Sequence, residues 1–226
     1  MFTMGNSFEL QEALRLLVGK CPRLVASCYW AGTSAIAIEE LSHRQSFDLG
    51  FHTIRALQDV RPILAEMRAV FQDDLQVVQA PDEFGSGFRA SLRLRTGAVV
   101  ALEVLSNYED VSSNAFVEST THPALRRVTL ERYLADKIQC IVERAEARDL
   151  VDINAVLRAH PELETVALNN LAVHDAVLMV ERLQNWTPAA LKDDLSAYKD
   201  VDPTDAITMR DTLLEWIQLM DGGSKT

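Results

Sequence analysis

The chain has 226 residues, 48% of them hydrophobic and 24% charged, a composition typical of a globular protein with a sizeable core. Its formal net charge of −11 disfavours non-specific binding to nucleic acid, because contact with phosphates needs positive charge. A nucleic-acid substrate would need a local basic patch, and a basic partner protein would suit the overall field. No apolar run approaches the ~18 residues of a membrane span, so we expect a cytoplasmic protein with no membrane partner.

The first part of the chain alternates helical and extended patterns. The predicted elements are a helix over 8–17, a strand over 24–29, a small-residue turn over 31–34, a short helix over 35–41, a strand over 46–51 and a helix over 54–71. Pro62 lies inside the last of these, where a proline kinks or divides a helix.

Three further strands are predicted, over 75–80, 88–94 and 98–105, and the turn Thr96-Gly97 joins the last two as a hairpin. The sequence AVVALEVL in the third strand is nearly all apolar, which predicts a central strand buried on both faces. One charged residue, Glu103, interrupts it.

The rest of the chain is predicted to be helical, with helices over 123–144, 150–157, 163–184, 188–198 and 205–221. We therefore predict two domains, an α/β domain over 1–116 and a helical domain over 117–226.

Two carboxylates occupy positions where charge is costly. Asp48 lies between Phe47 and Leu49, and Glu103 interrupts the most apolar strand. Such a group must reach solvent, pair with a basic residue or bind a cation. The turn before them presents backbone N–H groups at a helix start, where an anion can bind.

A basic and acidic cluster occurs in the helical half, made up of Lys137, Arg144, Arg148, Asp149 and Asp152. Taken alone, residues of this kind at helical spacing are typical of a solvated face with exposed salt bridges.

Together these blocks resemble the AbiEii/AbiGii-type toxin family, whose members are nucleotidyltransferase-like. Residues 31–35, AGTSA, and 43–48, HRQSFD, are similar to the family pattern GGT-x-L-x-L followed by H-R-x-S-x-D-x-D. Lys137 with the later residues R-x-x-x-R-D-x-x-D is similar to the second hallmark. The strand around Glu103 falls where the family carries a third carboxylate.

The resemblance implies an α/β (α+β) fold, in which a polymerase-β-type nucleotidyltransferase mixed sheet is followed by a helical C-terminal domain. Its substrate would be an NTP and its cofactor Mg²⁺, since two metal ions can stabilise both the attacking and the leaving oxygen. Residues at i and i+2 of a strand share a face, so a D-x-D pair aims both carboxylates at one site.

The resemblance also assigns roles to residues. It implies Asp48 and Glu103 as metal ligands and, with Lys137, as catalytic residues. The implied nucleotide-binding residues are Gly32, Thr33, Ser34, Arg44, Ser46, Lys137, Arg144, Arg148, Asp149 and Asp152. Among these, Arg148, Asp149 and Asp152 would fix the helical half against the site.

The chain departs from the family pattern at two positions. Ala31 replaces the first glycine of the turn, which is a mild change. Gly50 replaces the second acid of D-x-D and removes a ligand expected to bridge both metals. The alternatives are a one-metal site, a recruited carboxylate such as Glu39 or Glu40, or loss of catalysis.

The leading functional hypothesis is the toxin of a toxin–antitoxin pair, which transfers NMP from NTP to an RNA acceptor (tRNA-like) or to a protein. Its cognate antitoxin would carry a helix-turn-helix domain. The alternatives are a catalytically degenerate fold that binds nucleotide or protein, and an unrelated α/β protein. Arg89, Arg93 and Arg95 could form an RNA patch, although an exposed sheet face is the favoured interpretation.

Overall fold

The computed structural model of the chain describes residues 7–144 and 146–223. It divides into two compact units, Met1–Thr129 and Leu130–Thr226. This division falls later than the predicted boundary after residue 116, because one short strand that begins at Phe116 and a second one after it pair into the sheet of the first unit. The predicted order, a mixed sheet followed by helices, is confirmed.

The first unit begins with two helices and then builds the sheet. Its elements are α1 (Ser7–Lys20), α2 (Pro22–Ser27), β1 (Cys28–Ala31), α3 (Gly32–Ile36), a π-helix (Ala37–Leu41), β2 (Asp48–Ala56), α4 (Arg61–Phe71), β3 (Leu75–Gln79), β4 (Gly87–Arg93), β5 (Val99–Asn107), β6 (Phe116–Glu118) and β7 (Arg126–Val128).

Prolines explain two differences from the predicted elements. The strand expected over 24–29 begins only at Cys28, because Pro22 opens the short helix α2 instead. The helix expected from residue 54 begins at Arg61, with Pro62 in its first turn, where the missing N–H costs nothing. Residues 54–56 extend β2.

The seven strands form one mixed sheet in the order β3-β4-β5-β2-β1-β7-β6. Strand β2 pairs antiparallel with β1 and parallel with β5, so it lies at the centre. Strands β4 and β5 form the predicted hairpin, in which Gly97 has a φ of +86° that favours glycine.

The prediction that β5 is buried on both faces is wrong. Leu102 and Val104 are buried, whereas Ala101 is exposed and Glu103 is half-buried. The large apolar side chains of β2 and β4 point to the same buried side, and α1 packs there against β2 and β5. We call the other side, which carries Asp48, Ala101 and Glu103, the open face of the sheet.

A buried carboxylate, Glu39, ties the π-helix to β7 and to the loop after β6. Its fully buried side chain accepts hydrogen bonds from Ser119 Oγ, from Thr120 N at 3.0 Å and from Thr121 Oγ1 at 2.7 Å. Arg127 Nε donates to the same carboxylate at 2.7 Å. This network, which we call the Glu39 network, holds the π-helix that follows α3.

The second unit contains six α-helices and two short 3-10 helices, Pro161–Leu163 and Leu195–Ala197, among the residues described. The α-helices are α5 (Leu130–Glu143), α6 (Ala147–Ala159), α7 (Glu164–Leu171), α8 (Ala176–Asn185), α9 (Pro188–Asp194) and α10 (Pro203–Gly223). The single helix predicted over 163–184 is divided, because Asp175 caps the start of α8 by accepting from Leu178 N at 3.0 Å. Helix α6 packs against α5 and α10.

None of the helices described in either unit combines the length and the apolar character needed to cross a membrane.

The Glu39 network predicts a particular dependence of stability on pH. Burial alone would raise the pKa of Glu39, but the hydrogen bonds from Ser119, Thr120 and Thr121 outweigh it and lower the pKa from 4.5 to about 2. A carboxylate whose pKa is lower in the folded state stabilises the fold above its unfolded pKa. The free energy of unfolding should therefore fall as pH drops from about 4.5 towards about 2.

Urea unfolding of wild type and Glu39→Gln at several pH values tests this expectation. The variant should be less stable at pH 7, and its stability should decline less steeply through the same acidic window. Parallel pH profiles for the two proteins would contradict the role assigned to the Glu39 network.

Candidate nucleotide site

The small-residue turn, Ala31–Ser34, consists of the last residue of β1 and the first three residues of α3, which follows β1 directly. Gly32 has a φ of +72°, a left-handed conformation that strains any residue with a side chain. Ser34 Oγ accepts from Trp30 Nε1 at 3.0 Å, which fixes the turn to the strand before it. The turn therefore has a defined backbone with only small side chains around it.

A buried arginine stands beside this turn. Arg44 is 6% exposed, and its Nη2 donates to Thr33 Oγ1 at 2.9 Å, while its Nη1 donates to Gln45 O at 3.2 Å. A guanidinium in this position brings positive charge close to the turn. An anion bound at the turn would gain from that charge, because electrostatic attraction is stronger where water is excluded.

Strand pairing brings the turn and the two carboxylates together. In the antiparallel β1–β2 pair, Ala31 lies opposite Gly50, and in the parallel β2–β5 pair, Gly50 lies opposite Glu103. Asp48 lies two residues before Gly50 and therefore shares its face. The structure thus places Asp48 and Glu103 on neighbouring strands of the open face, next to the start of α3.

The surroundings of the two carboxylates differ. Asp48 is exposed and accepts a hydrogen bond from Ser46 Oγ at 3.2 Å, and Ser46 itself is buried. Glu103 is half-buried and forms an ion pair with Arg89 on β4, with 2.6 Å between Nε and Oε1. The carboxylate of Asp48 is open to a ligand, whereas the charge of Glu103 is already neutralised by Arg89 on the neighbouring strand β4.

These residues do not fit a two-metal centre. Among the residues described, no group of three or more His, Cys, Asp or Glu side chains could hold a metal ion. Gly50 supplies no side chain at the bridging position. Glu39 and Glu40 both form ion pairs with Arg127, and the Glu39 side chain is fully buried, so neither is an open ligand in this structure.

Three members of the basic and acidic cluster of the second unit, Lys137, Asp149 and Asp152, are buried, whereas Arg144 and Arg148 keep some exposure. Lys137 Nζ lies 2.8 Å from Asp149 Oδ1 and 2.7 Å from Asp152 Oδ2, and both aspartate side chains are fully buried. Arg144 Nη2 contacts Asp149 Oδ1 at 2.8 Å. The solvated-face interpretation is therefore wrong. These four residues, the Lys137 network, join α5 to α6.

Arg148 belongs to the same unit but has other partners. Its Nε donates to Glu146 at 2.7 Å, and its Nη1 donates to Tyr198 Oη at 3.2 Å. The site residues proposed from the sequence thus fall into two groups. Gly32, Thr33, Ser34, Arg44, Ser46, Asp48 and Glu103 lie in the first unit, and Lys137, Arg144, Arg148, Asp149 and Asp152 lie in the second.

Sequence reasoning missed the Arg89–Glu103 ion pair and the Glu39 network of the first unit. The register of the β4–β5 hairpin could have paired Arg89 with Glu103, because the turn between them was recognised. The hydrogen bonds from Ser119 and Arg127 to Glu39 leave no local sequence pattern, since Ser119 lies 80 and Arg127 lies 88 positions after Glu39 in the chain.

A cavity of about 470 Å³ lies at the edge of the sheet, beside Gln72 and Arg93. None of the residues assigned above to catalysis, metal binding or nucleotide binding lines it.

Comparison with known proteins gives a family and a fold. The sequence profile of the family described as "Nucleotidyl transferase AbiEii toxin, Type IV TA system" matches residues 32–216. None of the curated protein sequences compared with the chain matches it.

Two solved structures from Helicobacter pylori have similar folds. The crystal structure of JHP933 has a TM-score of 0.52 and 15% identity, with 96% of this chain and 95% of that chain covered. A protein described provisionally as a nucleotidyltransferase has a TM-score of 0.53 and 15% identity, with 93% and 97% covered. At this identity the likeness shows the fold alone.

The Lys137 network makes a testable contribution to stability. Asp149→Ala should lower the free energy of unfolding by about 3–5 kcal/mol, because it leaves buried positive charge without one of its two carboxylates. Urea denaturation monitored by circular dichroism measures the change.

Glu143→Ala, which removes an exposed carboxylate from the end of α5, provides the control and should change stability by about 0.5 kcal/mol or less. If both variants lost the same small amount, the Lys137 network would not be what joins α5 to α6.

Proposed function

Because the chain belongs to the AbiEii nucleotidyltransferase toxin family of type IV toxin–antitoxin systems, we propose that it transfers a nucleoside monophosphate from an NTP to an acceptor. The observation that carries the proposal is the β1–β2 register. It places the small-residue turn, a buried arginine and an exposed carboxylate at one end of the sheet.

The triphosphate binds at the small-residue turn in this proposal. The left-handed Gly32 lets the backbone approach a phosphate closely, and, apart from its chain neighbours and its own helix backbone, no heavy atom lies within 4 Å of the position that a Cβ would take. Arg44 and Thr33 are held together at the turn, so their donors are already oriented when the nucleotide arrives. Ser34 keeps its place through its bond to Trp30.

Asp48 acts on the acceptor. An acceptor hydroxyl oxygen attacks the α-phosphorus, the bond from that phosphorus to the oxygen bridging to the β-phosphate breaks, and pyrophosphate leaves. The hydroxyl proton passes to a carboxylate oxygen of Asp48, which Ser46 orients from a buried position. Glu103 supports this site from the neighbouring strand through its contact with Arg89.

The second unit contributes positioning in this account. Lys137 is bound to two buried aspartates, and its network holds α5 and α6 in one arrangement. Arg144 and Arg148 are the residues of the cluster that retain exposure, so they carry the proposed contact with nucleotide phosphates. Asp149 and Asp152 orient the basic residues and do not touch the nucleotide.

The acceptor is proposed to be RNA of the tRNA-like kind. Arg89 and Arg93 are exposed on the open face of β4, and Arg95 is exposed just beyond its end. They give a chain of net charge −11 the local positive patch that contact with RNA phosphates needs.

A protein acceptor is the second choice. A magnesium ion bound with the nucleotide would be held by the carboxylate of Asp48 and would offset negative charge on the phosphates. The cognate antitoxin is proposed to carry a helix-turn-helix domain.

One observation favours a second candidate function. Gly50 has no side chain at the position where the family pattern carries a metal ligand, and Arg89 is ion-paired with Glu103. Together these two features fit a catalytically degenerate fold that binds nucleotide or a partner protein. The two candidates differ in whether label from an NTP becomes covalently attached to RNA or protein.

Asp48→Asn tests the proposed transfer. Wild-type protein incubated with each α-³²P-labelled NTP, Mg²⁺ and total RNA or cell extract should label an acceptor, and its expression should arrest growth. The substitution should reduce the labelling rate by about 100-fold or more, because it removes the proton acceptor but keeps the shape of the side chain.

Asp193→Asn, an equal change at an exposed position of α9, should leave labelling and growth arrest unchanged. Undiminished labelling by Asp48→Asn would contradict the role of Asp48. Binding of NTP without any labelling by wild type would support the degenerate fold instead.

A further inference from the structure

Three residues on consecutive strands form one row across the open face of the sheet. Gly50 on β2 lies opposite Glu103 on β5, and Glu103 lies opposite Arg89 on β4. The neighbouring row contains Asp48, Ala101 and Ser91, in the same strand order. Glu103 thus lies between Gly50, which has no side chain, on one neighbouring strand and Arg89 on the other.

The charges of these residues limit how many cations the open face can hold. Asp48 and Glu103 carry two negative charges, and Arg89 compensates one of them at 2.6 Å from Glu103 Oε1. Cation affinity at such sites rises with the number of charged ligands. One uncompensated carboxylate and the phosphates of a nucleotide suffice for one divalent ion, whereas a second ion would lie against a guanidinium.

We propose that Arg89 replaces the second metal ion of nucleotidyl transfer at the open face, so that this chain binds a single divalent cation, at Asp48. The inference rests on the proposed function for the place of the nucleotide. Arg89 holds Glu103 with one of its five N–H donors, and it is 63% exposed, so the others can contact phosphate oxygens. A fixed guanidinium can stabilise developing negative charge as a metal ion does.

Arg93 offers a matched control for the Arg89 side chain. It lies on the same strand and the same face, opposite Val99, one row beyond that of Asp48. Arg89 lies one row from Asp48 on the other side. Both arginines are exposed, and each lies one row of paired residues away from Asp48, on opposite sides of it. Only Arg89 of these two lies opposite Glu103.

Gly50 can receive a side chain. A Cβ at this position would meet Ala31 O at 3.4 Å, an ordinary contact. Gly50→Asp would therefore restore a carboxylate beside Glu103, and Gly50→Asn would add the same volume without its charge.

Manganese titration followed by electron paramagnetic resonance tests the proposal, because it counts bound ions independently of turnover. With each α,β-methylene NTP in turn as the probe, wild type should bind one Mn²⁺ per chain. Arg89→Gln should raise Mn²⁺ affinity about three- to tenfold, since it frees Glu103, while Arg93→Gln should change it less than twofold. Circular dichroism confirms that each variant is folded.

The double variant Gly50→Asp/Arg89→Gln should bind two Mn²⁺ ions, and Gly50→Asn/Arg89→Gln should bind one. Two ions or none on wild type, or equal effects of the two arginine substitutions, would overturn the proposal. If wild type bound one Mn²⁺ with nucleotide but labelled no acceptor, the proposed transfer would be contradicted, whereas the proposed role of Arg89 in limiting the site to one cation would be supported.

Discussion

The register between β1 and β2 is the constraint on which the candidate site depends. It sets Ala31, the last residue of β1, opposite Gly50, two residues into β2. The small-residue turn begins where β1 ends, so the same pairing places the turn beside Asp48. Because side chains alternate along a strand, a slip of one residue would turn Asp48 into the buried layer of Leu49 and Phe51. Those two fully buried apolar side chains hold the register.

Each unit contains a buried basic side chain that is paired with two carboxylates, among the residues described. Arg127 is enclosed by Glu39 and Glu40 in the first unit, and Lys137 is enclosed by Asp149 and Asp152 in the second. Such networks add little stability compared with apolar side chains, but the loss of one member is costly. They therefore fix particular arrangements, one behind the small-residue turn and one between α5 and α6.

Much of the fold could be predicted from the sequence, because its signals are local. Alternation along β4, the hairpin turn at Gly97 and the apolar run of β5 indicated a sheet, and the family resemblance implied Asp48 and Glu103 as metal ligands of one site. The sequence could not show that β5 has one open face, since Ala101 is as apolar as a core residue. Nor could it show the burial of Lys137, because its partners on α6 have the pattern of a solvated helix.

The site follows the same division. Asp48, Gly32 and Arg44 could be proposed because they lie within one short stretch that resembles the family motif, whereas the pairing of Glu103 with Arg89 depends on strand register. Because Arg89 pairs with Glu103, the carboxylate missing at Gly50 is accompanied by a basic side chain on the same face of the sheet. Under the proposed function, the nucleotide binds beside an open face that carries one exposed carboxylate, Asp48, and an arginine paired with Glu103. Among the residues described, this face lacks the carboxylate ligands of a two-metal centre.

A crystal structure of the chain with a non-hydrolysable NTP and Mn²⁺ tests this account most directly. The account predicts phosphate oxygens within hydrogen-bonding distance of the backbone N–H groups of residues 32–34, and one anomalous manganese peak beside Asp48. A nucleotide bound away from the small-residue turn, or two manganese peaks on the open face, would contradict it.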